Sequence, residues 1–185
     1  MVEEIKKKKK KWYTILASNE FNNAEIGETL TFDAKDMMGK NVEANLANLI
    51  NDIKKQNVKI VFKIINAAGD KLNTKFVSYN LLPSYIRRVV RRDKEKIEDS
   101  FICLTKDNVK IRLKTLMITK DRTKHTILTK IRRESREVVT EEIKKLDFLD
   151  VLKDIAMNKF QRSLKDHIKK IYPLGICDIK NLIVI

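Results

Sequence analysis

The sequence predicts an α+β fold on three observations. Short β-branched and aromatic runs with period-two alternation occupy the first two thirds of the chain, whereas a helical period begins after residue 125. The strands are grouped instead of alternating one by one with helices, so a βαβ architecture is not indicated. The 185 residues are enough for one domain with a core. We expect that domain to span 12–185, preceded by a basic arm at 1–11.

The first predicted strands follow a run of six lysines. "WYTILA" (12–17) is short, aromatic and apolar, as is typical of a strand. "VKIVFKII" (58–65) is rich in β-branched residues and passes through the turn "NAAGD" into "LNTKFVSYNL" (72–81). Residues 58–81 are therefore predicted to form a hairpin. The segment 42–49 fits either a strand or a short helix.

A basic helix is predicted directly after this hairpin. Pro83 and Ser84 mark its beginning, with Ser84 as the candidate N-cap. In "YIRRVVRRDKEKI" the apolar side chains, from Tyr85 to Ile97, share one arc of a helical wheel. The opposite arc would present four guanidinium groups, those of Arg87, Arg88, Arg91 and Arg92.

A second hairpin has the clearest strand pattern in the chain. "SFICLT" turns through "KDN" into "VKIRLKTLMIT", in which apolar and basic residues alternate strictly. The two sets are Val109, Ile111 and Leu113 on one side and Lys110, Arg112 and Lys114 on the other. One face of this strand is therefore predicted to be buried and the solvent face to be wholly cationic.

Helices are predicted for most of the remaining chain. "TILTKIRRESREVVTEEIKKL" (126–146) places Ile127, Ile131, Val138 and Ile143 near one side. Asp147 is the candidate N-cap of one or two further helices, which end before Pro173 because proline lacks a backbone N–H. "ICDIKNLIVI" (176–185) is predicted as a last strand.

The charge distribution indicates a polyanionic partner. Lys and Arg number 40 against 25 Asp and Glu, a net charge of +15. Residues 1–11 carry six Lys and two Glu, and residues 106–136 carry eleven basic and three acidic residues. Nucleic acid is the first candidate and an anionic membrane the second. Membrane binding needs an exposed apolar face, whereas the apolar faces here are assigned to a core.

Residues suited to catalysis or metal binding are sparse. His125 and His167 have no triad or metal-ligand spacing, and Cys103 and Cys177 match no metal or redox motif. The four glycines are too scattered for a phosphate-binding loop. We therefore expect no enzyme, no cofactor and no metal site, with both thiols reduced and dispensable. No apolar stretch is long enough for a membrane span or a secretory leader, so a cytoplasmic protein is expected.

The candidate RNA-binding residues are the basic side chains of the charged segments and one aromatic residue. Contacts to an RNA backbone need only Lys and Arg placed against phosphates, whereas DNA readout would need a recognition helix with a preceding partner helix, which is not found. The lysine arm is expected to be unfolded alone and ordered against RNA. Trp12 either stacks on a base or anchors the first strand in the core. The candidates are Lys6, Lys7, Lys8, Lys9, Lys10, Lys11, Trp12, Arg87, Arg88, Arg91, Arg92, Lys110, Arg112, Lys114, Lys120, Arg122, Lys124, Lys130, Arg132 and Arg133.

Several short strings, in order over about residues 8–182, resemble one protein family. They are "KKKWYTILA", "IGETL", "GKNVEANLANL", "LNTKF", "YIRRVVRR", "TKDNVKIRLK" and "KKIYPL". In these strings the chain resembles the small-subunit ribosomal proteins shared by archaea and eukaryotes, called S-one in the eukaryotic-type scheme and S-three-A in older naming. The short arm and the lack of long extensions resemble the archaeal form.

The resemblance implies a non-enzymatic ribosomal protein. It implies a β-barrel-like, mostly antiparallel sheet with the basic helix inserted and the C-terminal helices packed on it, and it assigns 42–49 to a strand. Its implied partner is small-subunit ribosomal RNA at the platform, near the messenger exit and the 3′ end of that RNA, beside protein S-eleven and within reach of messenger RNA. No membrane and no second copy of the chain is implied. The alternative is a free RNA- or DNA-binding regulator.

Overall fold

The computed structural model describes residues 9–185 and shows an α+β protein. The predicted arm at 1–11 therefore lies mostly outside the described residues, including Lys6, Lys7 and Lys8. The strands are β1 (Lys11–Leu16), β2 (Glu25–Thr31), β3 (Asn41–Asn45), β4 (Val58–Ala68), β5 (Lys71–Leu81), β6 (Lys96–Leu104), β7 (Lys110–Thr119) and β8 (Leu174–Val184). The α-helices are α1 (Leu46–Ile50), α2 (Pro83–Val89), α3 (His125–Lys145), α4 (Phe148–Ala156) and α5 (Lys159–Ile168).

The eight strands form one open sheet that is antiparallel except for one pair. Six strands pair in the order β2-β1-β5-β8-β7-β6. The other two extend the sheet from β5: β4 pairs with β5, and β3 pairs with β4. The parallel pair is β1 with β5. The long strand β5 therefore holds three neighbours: β4 along its length, β1 at residues 71–73 and β8 at residues 78–80. The α+β class and the mostly antiparallel sheet are confirmed.

One face of the sheet forms the main core with the C-terminal helices. Ile111 and Leu113 of β7 are fully buried, as the alternation predicts, and pack in one cluster with α3 to α5. Phe62 and Phe76 of β4 and β5 meet with ring centroids 6.5 Å apart, and Phe148 of α4 lies 5.9 Å from Phe76. This aromatic contact joins the first hairpin to the C-terminal helices.

Both predicted hairpins are present. β4 and β5 turn at Gly69, whose φ of +63° is accessible to glycine at little cost. β6 and β7 pair without a register shift from Lys96↔Ile118 to Leu104↔Lys110. The predicted C-terminal strand is β8, which inserts between β5 and β7 and so brings the two hairpins into one sheet.

The basic helix is shorter than predicted. It begins at Pro83, with Leu82 and not Ser84 at the N-cap position, and it ends at Val89. Proline suits the first helical position because its missing N–H would have no helical partner there. After the helix, Val90 is extended and Ile97 is a buried residue of β6, so pairing with β7 overrides the local helical pattern.

The assignment of the whole segment 42–49 to a strand is also wrong. Residues up to Asn45 form β3, and α1 begins at the next residue. The change occurs at Asn45 because its side chain accepts a hydrogen bond from the backbone N–H of Ala47, 3.0 Å away, and caps the helix. The C-terminal elements follow the prediction more closely, with Asp147 at the N-cap position of α4.

Candidate nucleic-acid interface

The outer face of the sheet, opposite the core, carries the basic side of β7. Lys110 and Arg112 are exposed and Lys114 is half-buried, while Ile111 and Leu113 between them point into the core. Alternate residues of a strand lie about 7 Å apart on one face, so these three cations form a regular row. Among residues 9–185, none of the three forms an ion pair with a carboxylate. Their charge is therefore available to an anionic ligand.

The strand register places aliphatic side chains beside these cations. Arg112 lies between Ile102 of β6 and Ile183 of β8, and Lys110 lies opposite Leu104. Ile102 is 55% exposed, so this part of the face is not covered by a helix. An arginine fixed between two β-branched side chains has fewer conformations to lose on binding than one in an unfolded arm.

A groove joins this row to the basic helix. It has a volume of about 520 Å³ and contains Arg87 of α2 and Lys114 of β7 in its wall. The remaining lining residues are Asn80, Leu81, Pro83, Ile86, Lys180 and Asn181. Lys180 was not predicted as a site residue; it sits in an apolar strand pattern with no basic neighbours. Its amino group pairs with Glu98 at 2.9 Å, so it contributes less free charge than Lys114.

The arginines predicted on one helical face are divided between two places. Arg87 and Arg88 lie on α2, whereas Arg91 and Arg92 follow the helix in the loop before β6. Arg88 is held against the protein: its Nη2 donates to Asn57 Oδ1 at 3.4 Å, and its guanidinium lies 5.6 Å from the Tyr85 ring centroid. Of the helical pair, Arg87 is therefore the one directed to the groove.

A partly buried hydrogen bond fixes the orientation of α2. The Tyr85 hydroxyl donates to Asp178 Oδ2 of β8 at 3.0 Å. Burial raises the pKa of Asp178, and burial together with the nearby Asp178 carboxylate raises the pKa of Tyr85 to about 12. The phenol consequently remains a donor at neutral pH, which holds the helix that carries Arg87 against the sheet.

A second basic surface forms around the loop after β7. Lys120, Arg122 and Lys124 are exposed there, and Arg122 Nη2 donates to the backbone carbonyl of Arg92 at 3.1 Å. The loop is also tied to the C-terminal part of the chain, because the backbone N–H of Lys120 donates to the carbonyl of Pro173 at 3.1 Å. Lys169 and Lys170 precede Pro173 in the sequence and are exposed just after α5; sequence reasoning did not include them among the site residues.

The predicted basic residues of α3 are exposed around a buried stripe. Lys130, Arg132 and Arg133 flank Ile131, which is fully buried. Arg133 makes only a long, exposed ion pair with Glu137, at 3.9 Å. Arg136, one turn after Arg132, differs because both its Nε and its Nη2 donate to the Asp99 carboxylate of β6, at 2.9 and 2.7 Å.

The lysine arm ends at Lys11, the first residue of β1. Three strands, β5, β8 and β7, separate β1 from β6 in the sheet. Lys9, Lys10 and Lys11 are exposed. Trp12 is 62% exposed, whereas Tyr13 and Ile15 are buried in a second, smaller apolar cluster. Tyr13 and Ile15 therefore anchor β1, and of the two roles predicted for Trp12, anchoring the core is excluded.

The described histidines and cysteines do not gather into a metal-binding group. In the range 9–185 no group of three or more His, Cys, Asp or Glu side chains could hold a metal ion. His125 and His167 are exposed, and Cys103 and Cys177 are free and buried. None of the helices in that range is both long and apolar enough to cross a bilayer.

Comparison with known proteins identifies relatives along nearly the whole chain. The model of the ribosomal S3Ae family matches residues 3–185. The small ribosomal subunit protein eS1 of Archaeoglobus fulgidus is 36% identical over 175 residues, which cover 94% of this chain and 83% of the relative. The proteins of the same name from Methanopyrus kandleri (33%; 94% and 84% covered) and Saccharolobus islandicus (32%; 94% and 83% covered) are similar. The chain therefore belongs to the ribosomal S3Ae family, in its archaeal form.

Proposed function

We propose that this protein is a structural, non-enzymatic component of the small ribosomal subunit that binds ribosomal RNA through its basic surfaces. Its family and the names of its archaeal relatives support the ribosomal role. The single observation that supports RNA binding best is the row of Lys110, Arg112 and Lys114, which is fixed on a strand and has no carboxylate partner among the described residues. Such a row can neutralise consecutive phosphates and release their counterions.

The proposed RNA-binding surface is divided into three parts. The first is the β7 row with Arg87 across the groove, the second is the loop surface around Arg122 with α3, and the third is the lysine arm. Because these parts lie on different elements, the protein would contact a folded RNA at several places and recognise its shape and not a short sequence. We propose that residues 12–185 form one folded unit, which Lys11 joins at the start of β1, and that RNA orders the rest of the 1–11 arm.

By resemblance to its family, we propose a position on the platform, near the messenger exit and the 3′ end of the small-subunit RNA. A ribosomal protein there works in the cytoplasm and has protein as well as RNA neighbours, including S-eleven. An exposed apolar group at α1 and α4 is a suitable surface for a protein neighbour. It comprises the exposed Ile50 and Met157, which line a groove of about 300 Å³ together with the half-buried Leu49. Messenger RNA at the exit would be within reach of the basic surfaces.

Sedimentation of a cell lysate tests the ribosomal role. In a sucrose gradient at moderate salt, the protein should migrate with the small subunit and its RNA. A free RNA- or DNA-binding regulator would remain near the top of the gradient. A protein that stays at the top at low and moderate salt would contradict the proposed function.

A further inference from the structure

Three large apolar side chains are exposed together where β1 begins and β2 ends. Trp12 is 62% exposed, Phe32 47% and Leu30 43%. Trp12 and Leu30 are direct partners in the antiparallel ladder, so they share one face of the sheet. Lys10 Nζ lies 5.3 Å from the Phe32 ring centroid, which places Phe32 and Lys10 next to the same pair. We call Trp12, Leu30 and Phe32 the Trp12 face.

Folding does not explain the exposure of these side chains. On the opposite side of β1, Tyr13 and Ile15 are 7% and 5% exposed, and they already hold the strand in the smaller apolar cluster. Scattered exposed apolar residues are ordinary, but an exposed tryptophan grouped with a phenylalanine and a leucine is typical of a binding surface. The Trp12 face is therefore expected to be covered by a ligand.

The charge around the Trp12 face favours RNA as that ligand. Lys9, Lys10 and Lys11 are exposed immediately before Trp12, and three more lysines precede them in the sequence. Two acids are close by: Glu28, which lies opposite Thr14 on the same face of the ladder, and Asp33, which directly follows Phe32, so the three lysines outnumber them. An aromatic side chain beside lysines can stack on a base while the lysines contact the adjoining phosphates. A duplex offers phosphates but keeps its bases stacked on one another, so the chemistry fits single-stranded RNA.

We propose that the Trp12 face stacks on unpaired bases of single-stranded RNA, with Lys10 and its neighbours on the flanking phosphates. This inference rests on the proposed RNA-binding function and assigns unpaired nucleotides to this site, whereas the β7 row requires only phosphates. Trp12 contributes the largest stacking surface, and Phe32, held under the Lys10 ammonium, adds a second ring. Stacking on aromatic rings tolerates any base, so the site would distinguish single strands from duplexes and not one sequence from another.

The fluorescence of Trp12 provides a direct test because it is the only tryptophan in the chain. The full-length protein is titrated with three probes: a single-stranded oligouridylate, a duplex RNA of the same length, and heparin, a polyanion without bases. The oligouridylate should quench the Trp12 emission on binding. Heparin and the duplex should bind through phosphate or sulfate contacts and leave the emission nearly unchanged. Equal emission changes with all three probes would contradict base stacking.

Variants then separate stacking from charge. Trp12→Ala should weaken binding of labelled single-stranded RNA about tenfold, the size expected for one lost stacking contact, and should leave duplex binding unchanged. Trp12→Phe should recover most of this loss. Ile65→Ala is the matched control, since it truncates a similarly exposed apolar side chain (57% exposed) outside the face and should change neither affinity. Circular dichroism verifies the fold of each variant.

The outcomes distinguish this inference from the proposed function. Suppose that Trp12→Ala reduces incorporation into the small subunit, but single-stranded RNA does not quench Trp12 in the wild-type protein and binds the variant as tightly as wild type. A protein then covers the face, and the inference is wrong. If single-stranded RNA quenches Trp12 but the protein does not sediment with the small subunit, the stacking site stands and the ribosomal assignment fails.

Discussion

The guanidinium of Arg122 donates from Nη2 to the backbone carbonyl of Arg92, 3.1 Å away, and so joins the loop after β7 to the loop after α2. Both loops are basic, and two like-charged segments repel each other unless something holds them together. This hydrogen bond therefore keeps Arg91 and Arg92 beside Lys120 and Lys124 in a geometry that an RNA backbone can neutralise.

The first prediction concerns this link. Arg122→Gln should weaken RNA binding more than Lys124→Gln does, because it removes one charge and also frees the loop that carries Arg91 and Arg92. Lys124→Gln, which removes one exposed charge, should reduce the slope of log K against log salt by about one unit, with duplex DNA as the guide. Affinity on a platform RNA fragment is measured against salt for each variant. Equal losses would show that the link to Arg92 does not organise the surface.

The second prediction ranks the rigid row against the arm. Changing Lys110, Arg112 and Lys114 together to Gln should reduce affinity for platform RNA more than changing Lys6, Lys7 and Lys8 to Gln. Both variants lose three charges, but neighbouring strands hold the three cations of β7 in fixed positions, whereas RNA is proposed to order the arm, so the row should lose less conformational entropy on binding. If the strand variant bound as tightly as wild type at every salt concentration, the outer face of β7 would not be the main RNA surface.

The third prediction separates two arginines on one helix. Arg136→Gln should lower the free energy of unfolding by about 1 kcal/mol, because it breaks two charged hydrogen bonds to the largely buried Asp99 carboxylate. The loss is no larger because Arg136 itself is exposed to solvent. Its effect on RNA binding should be small. Arg132→Gln, one turn earlier and without an ion pair among the described residues, should weaken RNA binding with little change in stability. Urea unfolding and RNA titration of both variants test this; a reversed pattern would contradict it.

The fourth prediction is a pH dependence. The hydrogen bond from Lys180 lowers the pKa of Glu98, and the charges of Lys180 and Lys96 act in the same direction against partial burial. A carboxyl whose folded pKa is depressed stabilises the fold above its unfolded pKa, and this contribution is lost as the pH falls through the folded value. Glu98→Gln should therefore destabilise the protein near about pH 7, and the difference from wild type should shrink by about pH 3.

The comparison of Glu98→Gln with wild type also controls for Asp178. Burial raises the pKa of Asp178, so this residue works in the opposite direction: its contribution becomes more favourable as the pH falls. Because both proteins contain Asp178, its effect cancels in the difference. A difference between the two urea midpoints that grows on acidification would contradict the role given to Lys180.

The sequence predicted the features that local periodicity determines. The alternation of Ile111 and Leu113 with Lys110 and Arg112 fixed both the strand and its basic face, because each residue's side is set by the pleat. The end of α2 was missed, since Ile97 fits a helical arc as well as a strand. Only its pairing with Met117 of β7, far along the chain, decides between the two.

The candidate site depends still more on long-range structure. Arg87 and Lys114 share a groove because β8 inserts between β5 and β7 and draws the two hairpins together, a relationship that no local pattern contains. The two roles open for Trp12 could not be separated from the sequence, because an aromatic residue in a strand fits the core as well as a ligand. Its position opposite Leu30 on the exposed side of β1 is what decides.

The last prediction concerns the thiols. Burial raises the pKa of Cys103 and raises the pKa of Cys177 to about 12. Almost no thiolate is therefore present near about pH 8, and both cysteines should resist iodoacetamide in the native protein and react only after unfolding in urea.

Changing both cysteines to Ser should leave incorporation into small subunits intact, since neither contacts a basic surface residue that binds RNA in this proposal. The two variants should differ in stability. The Cys103 sulfur lies 3.7 Å from the Thr140 hydroxyl, which can form a hydrogen bond with a serine introduced at position 103. Cys177→Ser should cost more, about 1–3 kcal/mol, because the new buried hydroxyl would lack such a partner. Urea unfolding of the two single variants measures this order. Rapid alkylation of the folded protein, or stoichiometric zinc released with the thiols, would contradict a purely packing role.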